Sequence, residues 1–315
     1  MTRIISRAEI DKALPTLDLM GAIEAGFVAY SAEKSVVPPV GELLMPKGEV
    51  HIKYGYLKDD DYYVIKVASG FMGNVALGKQ PNNGMMLLFS QHTGEAVAVL
   101  LDEGWLTDIR TAVAGAIAAK YMHPSSVERI GIVGTGTQAR LQLQYLKPIT
   151  ECRKVLVWGR SQQAVERYKA DMARHGFEVE TTLNSAEIGA TCNLIVTTTP
   201  THVPILNSAD IRPGTHITAI GSDTPHKQEL DSDILGKADI VVADSIPQCL
   251  ARGEIYKALS ANAIEQADLI ELGSVIAGNA SGRDNDHQIT VADLTGVAVQ
   301  DIQITKGVYE ALSSS

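Results

Sequence analysis

Val127-Glu128-Arg129-Ile130-Gly131-Ile132-Val133-Gly134-Thr135-Gly136-Thr137-Gln138-Ala139-Arg140-Leu141 joins an apolar run to two glycines, a small residue and a helical pattern. Its centre reads Gly134-x-Gly136-x-x-Ala139. Gly134 permits a tight turn, Gly136 lets the backbone approach a pyrophosphate, and Ala139 lets the helix pack closely on the preceding strand. Backbone N–H groups at such a helix start face a diphosphate. Glycines after a strand also serve as a plain turn. Here a strand precedes, a helix follows, and a second strand is expected at Lys154–Trp158. That context favours a dinucleotide site.

Downstream the alternation continues. Strands are expected at residues 129–133, 154–158, 178–181, 193–197, 216–220 and 240–243, with helical patterns between most of them. This is the pattern of a doubly wound parallel sheet. After about Gly273 it stops. Residues 290–294 read as extended and 297–312 as helical, a tail expected to return to the first domain.

Upstream the reading is α+β. Met20, Ile23, Phe27 and Tyr30 predict a helix over residues 18–33. Extended segments at 50–56, 62–68, 84–90 and 96–101 are separated by turn residues and predict an antiparallel sheet. A helix over 107–121 follows, capped by Thr107 and rich in Ala and Gly, so that neighbours can pack closely. His123-Pro124-Ser125-Ser126 breaks it. The expected fold is α/β: a Rossmann doubly wound domain over 123–289 plus an α+β substrate and dimerisation domain over 1–122, completed by 290–315.

Bulk composition narrows the classes. A 45% hydrophobic chain of 315 residues is globular with a sizeable core. A formal net charge of −10 argues against a general nucleic-acid binder. Cys152, Cys192 and Cys249 form no Cys-x-x-Cys pair, which points to reduced thiols and a cytoplasmic protein. The N-terminus lacks a long apolar stretch, and the run Ala96–Leu101 is too short to span a bilayer. Histidine spacing indicates no metal site.

Several residues are candidates for chemistry. Lys66 sits inside the apolar run Tyr63-Val64-Ile65-Lys66-Val67-Ala68. It either reaches solvent from an edge strand or serves a site, where burial would lower its pKa. Lys53 raises the same question. Arg110 falls in the first turn after Thr107, where the helix dipole disfavours cations. It is either a solvated arginine or part of a corner that binds a carboxylate. Thr198 and Thr199 follow an expected strand and either line the dinucleotide or form a polar loop before Pro200. Asp223, in Gly221-Ser222-Asp223-Thr224-Pro225, is either a turn residue or a carboxylate placed to stabilise a cationic imine. The second Rossmann strand ends in Val157-Trp158-Gly159-Arg160-Ser161, with no carboxylate for a ribose 2′-hydroxyl. Arg160 and Ser161 can instead hold a 2′-phosphate, so NADP(H) is favoured and NAD(H) possible.

Three segments together resemble the ornithine cyclodeaminase/μ-crystallin family: Leu106-Thr107-Asp108-Ile109-Arg110-Thr111-Ala112, the glycine segment to Ala139, and Ile220-Gly221-Ser222-Asp223-Thr224-Pro225-His226-Lys227-Gln228-Glu229-Leu230-Asp231. The resemblance covers most of the chain. It implies a homodimer, a nicotinamide cofactor and action at the α-carbon of a small amino or imino acid. It implies Lys66 and Asp223 as catalytic residues and Arg110 and Lys66 at the substrate carboxylate, with Lys53 expected there in place of an arginine that the family carries and this chain lacks. Cofactor contacts are expected at Thr111, Gly134, Gly136, Thr137, Gln138, Ala139, Trp158, Arg160, Ser161, Thr198, Thr199 and Ser222. Val37-Pro38-Pro39-Val40-Gly41-Glu42 lacks the arginine that ornithine cyclodeaminases carry after a proline, which argues against ornithine as substrate. The expected activity is NAD(P)H-dependent reduction of a 2-imino acid such as Δ1-pyrroline-2-carboxylate or iminosuccinate, reversible as an amino-acid dehydrogenase. A cyclodeaminase releasing ammonia without net redox, and a non-catalytic NADPH- and ligand-binding protein, are the alternatives.

Overall fold

The computed structural model describes residues 1–313. The chain divides into two compact units: Met1–Thr111 with the C-terminal segment from Val297, and Ala112–Gly296. No helix among the described residues is long and apolar enough to cross a membrane.

The first unit contains β1 (Arg3–Ser6), α1 (Arg7–Ala13), α2 (Leu19–Ser31), β2 (Ser35–Val36), β3 (Gly41–Met45), β4 (Gly48–Leu57), β5 (Tyr62–Gly70), β6 (Asn82–Ser90) and β7 (Ala96–Leu101). The chain passes to the second unit within α3 (Trp105–Met122) and returns in α11 (Ala298–Ser313). The strands form one seven-stranded sheet of order β1-β7-β6-β5-β4-β2, with β3 on β4. It is antiparallel as expected, except that β1 adds parallel to β7.

Side-chain alternation along these strands separates two faces. Val64, Lys66, Met86, Leu88, Ala98 and Leu100 are buried on the inner face, and α11 packs on β4, β5 and β6 and against α2. The outer face is also apolar. Tyr63, Ile65, Val67, Leu87, Phe89, Val97 and Val99 are half-buried there, and Tyr54 and Met85 are exposed. Tyr63 stacks on its cross-strand partner Phe89.

The second unit contains β8 (Ile130–Val133), α4 (Thr137–Tyr145), β9 (Lys154–Trp158), α5 (Gln162–Ala173), β10 (Glu178–Thr182), α6 (Ser185–Thr191), β11 (Leu194–Thr197), β12 (His216–Ala219), α7 (Ser232–Lys237), β13 (Ile240–Ala243), α8 (Ile246–Cys249), α9 (Gly253–Ser260), β14 (Leu269–Glu271), α10 (Leu272–Ile276) and β15 (Thr290–Asp293). Its eight strands are parallel, in the order β10-β9-β8-β11-β12-β15-β13-β14. β8, β11, β12, β13 and β15 are buried along their whole length, as strands covered on both faces are. Strand order reverses at β8, which pairs with β9 on one side and β11 on the other. The ligand crevice of such a sheet lies outside the strand ends at that reversal.

Two placements differ from the sequence reading. β15 inserts between β12 and β13 in the second sheet instead of going with the first unit. Four buried residues carry no signal of which sheet they enter, and here the hydrogen bonds of two parallel neighbours decide it. The start of α3 also moves. The Asp102 side chain accepts from the Leu106 N–H at 2.8 Å and its carbonyl from the Trp105 N–H at 3.0 Å. The helix therefore begins at Trp105, and Thr107 lies inside it.

Candidate functional site

β4 and β5 place Lys53 and Lys66 directly opposite each other on the inner face of the first sheet. Directly opposed like charges destabilise a sheet, so the pair calls for an anion. Lys53 is 6% exposed, Lys66 2% and Arg110 4%, which excludes the solvated alternatives. Arg110 sits in the second turn of α3, beyond the free N–H groups at the helix start.

What holds these cations is a pair of adjacent side chains on α11 that sequence reading did not single out. Lys66 Nζ lies 3.2 Å from Asp301 Oδ2, and Arg110 Nε lies 2.9 Å from Asp301 Oδ1. Arg110 Nη1 donates to Gln300 Oε1 at 2.7 Å. Gln300 and Asp301 are fully buried, and Gln300 Nε2 has no hydrogen-bond partner among the described residues. Burial pushes the Lys66 ammonium down to about 7; Arg110 and then Lys53 add to the shift, and Asp301 opposes it. Burial also pushes the Asp102 carboxyl up. Two cations thus share one carboxylate, and the cluster can accept an anion. The only sequence signal for Gln300-Asp301 is a polar pair inside the buried run that begins at Val297.

The second unit supplies a crevice of about 540 Å³ at the strand reversal, lined by Gly134, Thr135, Gly136, Trp158, Gly159, Arg160, Thr198, Thr199, Pro200, Thr201, His202 and Ile205. Gly134 has φ 117°, a conformation that side chains rarely adopt, and a Cβ there would strike Thr198 Oγ1. At Gly136 a Cβ would meet nothing within 4 Å, so its backbone faces open space. Ala139 is fully buried, and its carbonyl accepts from the Tyr168 hydroxyl at 2.9 Å. These are the turn, the close approach and the tight helix packing that a dinucleotide needs. The residues present fit a nicotinamide dinucleotide.

The remaining expected cofactor residues divide. Trp158, Arg160, Thr198 and Thr199 line the crevice. Trp158 Nε1 is held by the Leu183 carbonyl at 3.1 Å. Thr137 opens α4, and Gln138 accepts from Gln142 in the same helix at 3.4 Å. Ser161 caps α5 by accepting from the Ala164 N–H. The Ser222 hydroxyl donates to the Lys227 carbonyl at 2.9 Å inside its own loop, and Ser222 is not among the crevice-lining residues. Thr111 lies in the first unit and donates to the Thr107 carbonyl at 2.7 Å. Asp223 follows β12 on a half-exposed loop, 2.6 Å from Lys227 Nζ, and its carbonyl accepts from Arg252 at 3.3 Å.

Comparison with known proteins gives a family and solved structures of the same fold. A model of the ornithine cyclodeaminase/mu-crystallin family matches residues 1–315. A Sinorhizobium fredii protein called an uncharacterized cyclodeaminase is 39% identical over 308 residues, covering 96% of this chain and 93% of that one. An archaeal alanine dehydrogenase dimer with bound NAD superposes with a TM-score of 0.91 at 33% identity, covering 99% of this chain and 96% of that one. Thermococcus litoralis Δ1-pyrroline-2-carboxylate reductase, solved with NADH and L-proline, gives a TM-score of 0.92 at 26% identity, covering 99% and 98%.

Proposed function

The chain belongs to the ornithine cyclodeaminase/mu-crystallin family, and we infer that within it this protein is an NAD(P)H-dependent imino-acid (ketimine) reductase. Its substrate class is a small 2-imino acid such as Δ1-pyrroline-2-carboxylate or iminosuccinate, with amino-acid dehydrogenation as the reverse reaction. The observation that carries the reading is the buried cluster in which Lys66 and Arg110 share Asp301 beside Lys53. Such a cluster binds a carboxylate, and every substrate of this class has one.

Arg110 and Lys66 bind the substrate carboxylate, with Lys53 adding positive charge. Gln300 Nε2 has donor capacity for the same ligand. A nicotinamide coenzyme, when bound, would supply the hydride that the imine carbon takes up. Asp223 stabilises the protonated imine nitrogen. It already holds the Lys227 ammonium at 2.6 Å, so the substrate exchanges one cation for another. Preorganised charge of this kind is usually the largest catalytic contribution. Gly134, Gly136 and the start of α4 would hold the diphosphate, and Arg160 would take the 2′-phosphate of NADP(H). The relatives described with NAD or NADH leave the choice of coenzyme to experiment.

The protein acts as a homodimer in this reading. The outer face of the first sheet is apolar along four adjacent strands, and such a face implies a partner surface. The archaeal alanine dehydrogenase is itself a dimer. An NADH- and NADPH-coupled screen of cyclic imines, and of 2-oxo acids with ammonia or methylamine, tests the activity. Coenzyme oxidation with Δ1-pyrroline-2-carboxylate or an acyclic 2-imino acid is expected. Conversion of L-ornithine to proline and ammonia without net coenzyme change overturns it in favour of a cyclodeaminase. No turnover with any imine leaves a binding protein.

A further inference from the structure

Glu229 lies eight residues after Gly221, and its carboxylate joins the loop that starts there to the loop that follows β11. Oε1 accepts from the Thr199 N–H at 2.5 Å and the Thr199 hydroxyl at 2.8 Å. Oε2 accepts from the Thr197 hydroxyl at 2.7 Å and the Gly221 N–H at 2.8 Å. Thr197 ends β11, and Thr199 lines the dinucleotide crevice. Gly221 opens the loop that carries Asp223. The Glu229 carbonyl also accepts from Ile205, another crevice residue, at 2.7 Å. The Glu254 carboxylate fixes Glu229 from behind, accepting from its N–H at 2.6 Å.

Glu229 is fully buried, and a buried charge without a binding partner is costly. All four contacts to its oxygens can donate to the carboxylate form. Burial pushes its pKa up to about 7 against those four donors. Gly221 leaves no slack, because a Cβ there would run into the Thr199 backbone and the Glu229 carboxylate.

We propose that Glu229 is a positioning residue that sets the cofactor loop and the Asp223 loop against each other, so that coenzyme affinity and turnover depend on one carboxylate. The proposal rests on the reading that Asp223 acts on the substrate. Its coenzyme-binding arm needs no substrate, so it can fail or hold independently of that reading.

Glu229→Gln is the decisive variant. A backbone N–H faces each carboxylate oxygen, so either orientation of the amide turns its NH2 against a donor. One of the two loops must let go. Coenzyme affinity is read by quenching of the tryptophan fluorescence on titration with NADH and NADPH, and turnover by kcat with the best imine substrate. Loss of charge-assisted hydrogen bonds predicts a Kd about 10-fold or more weaker and kcat about 100-fold lower, with a cooperative melt retained. Thr197→Val removes one donor and is expected to shift both quantities about 3-fold in the same direction. In the double variant the two effects should combine to less than their product. Parent-like Kd and kcat in Glu229→Gln overturns the proposal, and so does a fall in kcat with Kd unchanged. If Glu229→Gln does not fold, Thr197→Val decides: movement of Kd and kcat together supports the clamp, and movement of neither overturns it.

Discussion

Asp301 Oδ2 lies 3.2 Å from Lys66 Nζ, and the other oxygen of the same carboxylate lies 2.9 Å from Arg110 Nε. One buried anion therefore fixes two cations that come from a strand and a helix far apart in sequence. Asp301→Asn leaves both without a counter-charge. Breaking a buried pair from one side typically costs about 3–5 kcal/mol. The expected loss in urea unfolding is larger at pH 6 than at pH 9, because Lys66 can shed its proton at the higher pH. Equal loss at both pH values would mean that Lys66 is not the group left unpaired.

Lys66 also sets a pH dependence. Burial and the neighbouring Arg110 and Lys53 hold its folded pKa at about 7, against 10.5 for the unperturbed side chain, while Asp301 opposes the shift and the Asp102 carboxyl also faces it electrostatically. A cation whose folded pKa is depressed contributes stability above its unfolded value and loses it as pH falls through the folded value. Stability measured against Lys66→Met should therefore decline from pH 10.5 towards 7. Activity runs the other way, since carboxylate binding needs the protonated amine. kcat/KM is expected to fall above about pH 7, and Lys66→Arg should move that limb upward. A limb that stays in place assigns it to another group.

Much of this was legible from the chain because periodicity reports directly on burial. The Gly134-x-Gly136-x-x-Ala139 turn and the parallel strands follow from local pattern, and Lys53 and Lys66 stand out as lysines in apolar strands, but that they face each other is set by the register of β4 on β5. Gln300 and Asp301 did not, because their roles arise only when α11 packs on β5 and meets α3, 190 residues from Arg110 in the case of Gln300. The start of α3 was misplaced for a related reason. Thr107 has the chemistry of a cap, but Asp102 reaches the helix N–H groups first. β15 was sent to the wrong sheet because a run as short as Thr290-Val291-Ala292-Asp293 carries no pattern that names its neighbours.

The outer sheet face makes the dimer testable. Ile65 sits in a central strand on that face, opposite Tyr54 on one side and Leu87 on the other. Ile65→Glu puts a charge among apolar neighbours without touching Val64 or Lys66 on the inner face. The parent is expected to sediment as a dimer and the variant as a monomer with an unchanged far-UV spectrum. A parent that sediments as a monomer removes the dimer from the reading.

Two glycines separate folding from binding. Gly134→Ala forces a side chain into φ 117° and against Thr198 Oγ1, and strain of this kind costs about 1–3 kcal/mol. Gly136→Ala meets open space in the protein. It should leave the melting temperature near the parent's and weaken coenzyme binding by filling the space left for the diphosphate. Unchanged coenzyme affinity in Gly136→Ala would place the diphosphate elsewhere.

Coenzyme choice turns on Arg160, which follows β9 at the crevice rim where a carboxylate would select NAD. An arginine–phosphate contact is charge-assisted, and such hydrogen bonds are worth about 1.5–3 kcal/mol, or roughly 10–100-fold in affinity. Arg160→Ala is expected to raise KM for NADPH by that factor and leave KM for NADH within about 2-fold, a change under 1 kcal/mol. Arg160→Asp should go further, since a carboxylate repels the phosphate and can accept from a ribose hydroxyl. Its preference is expected to invert to NADH. A parent enzyme that already prefers NADH, with both variants indifferent to the 2′-phosphate, would assign Arg160 to adenine stacking instead.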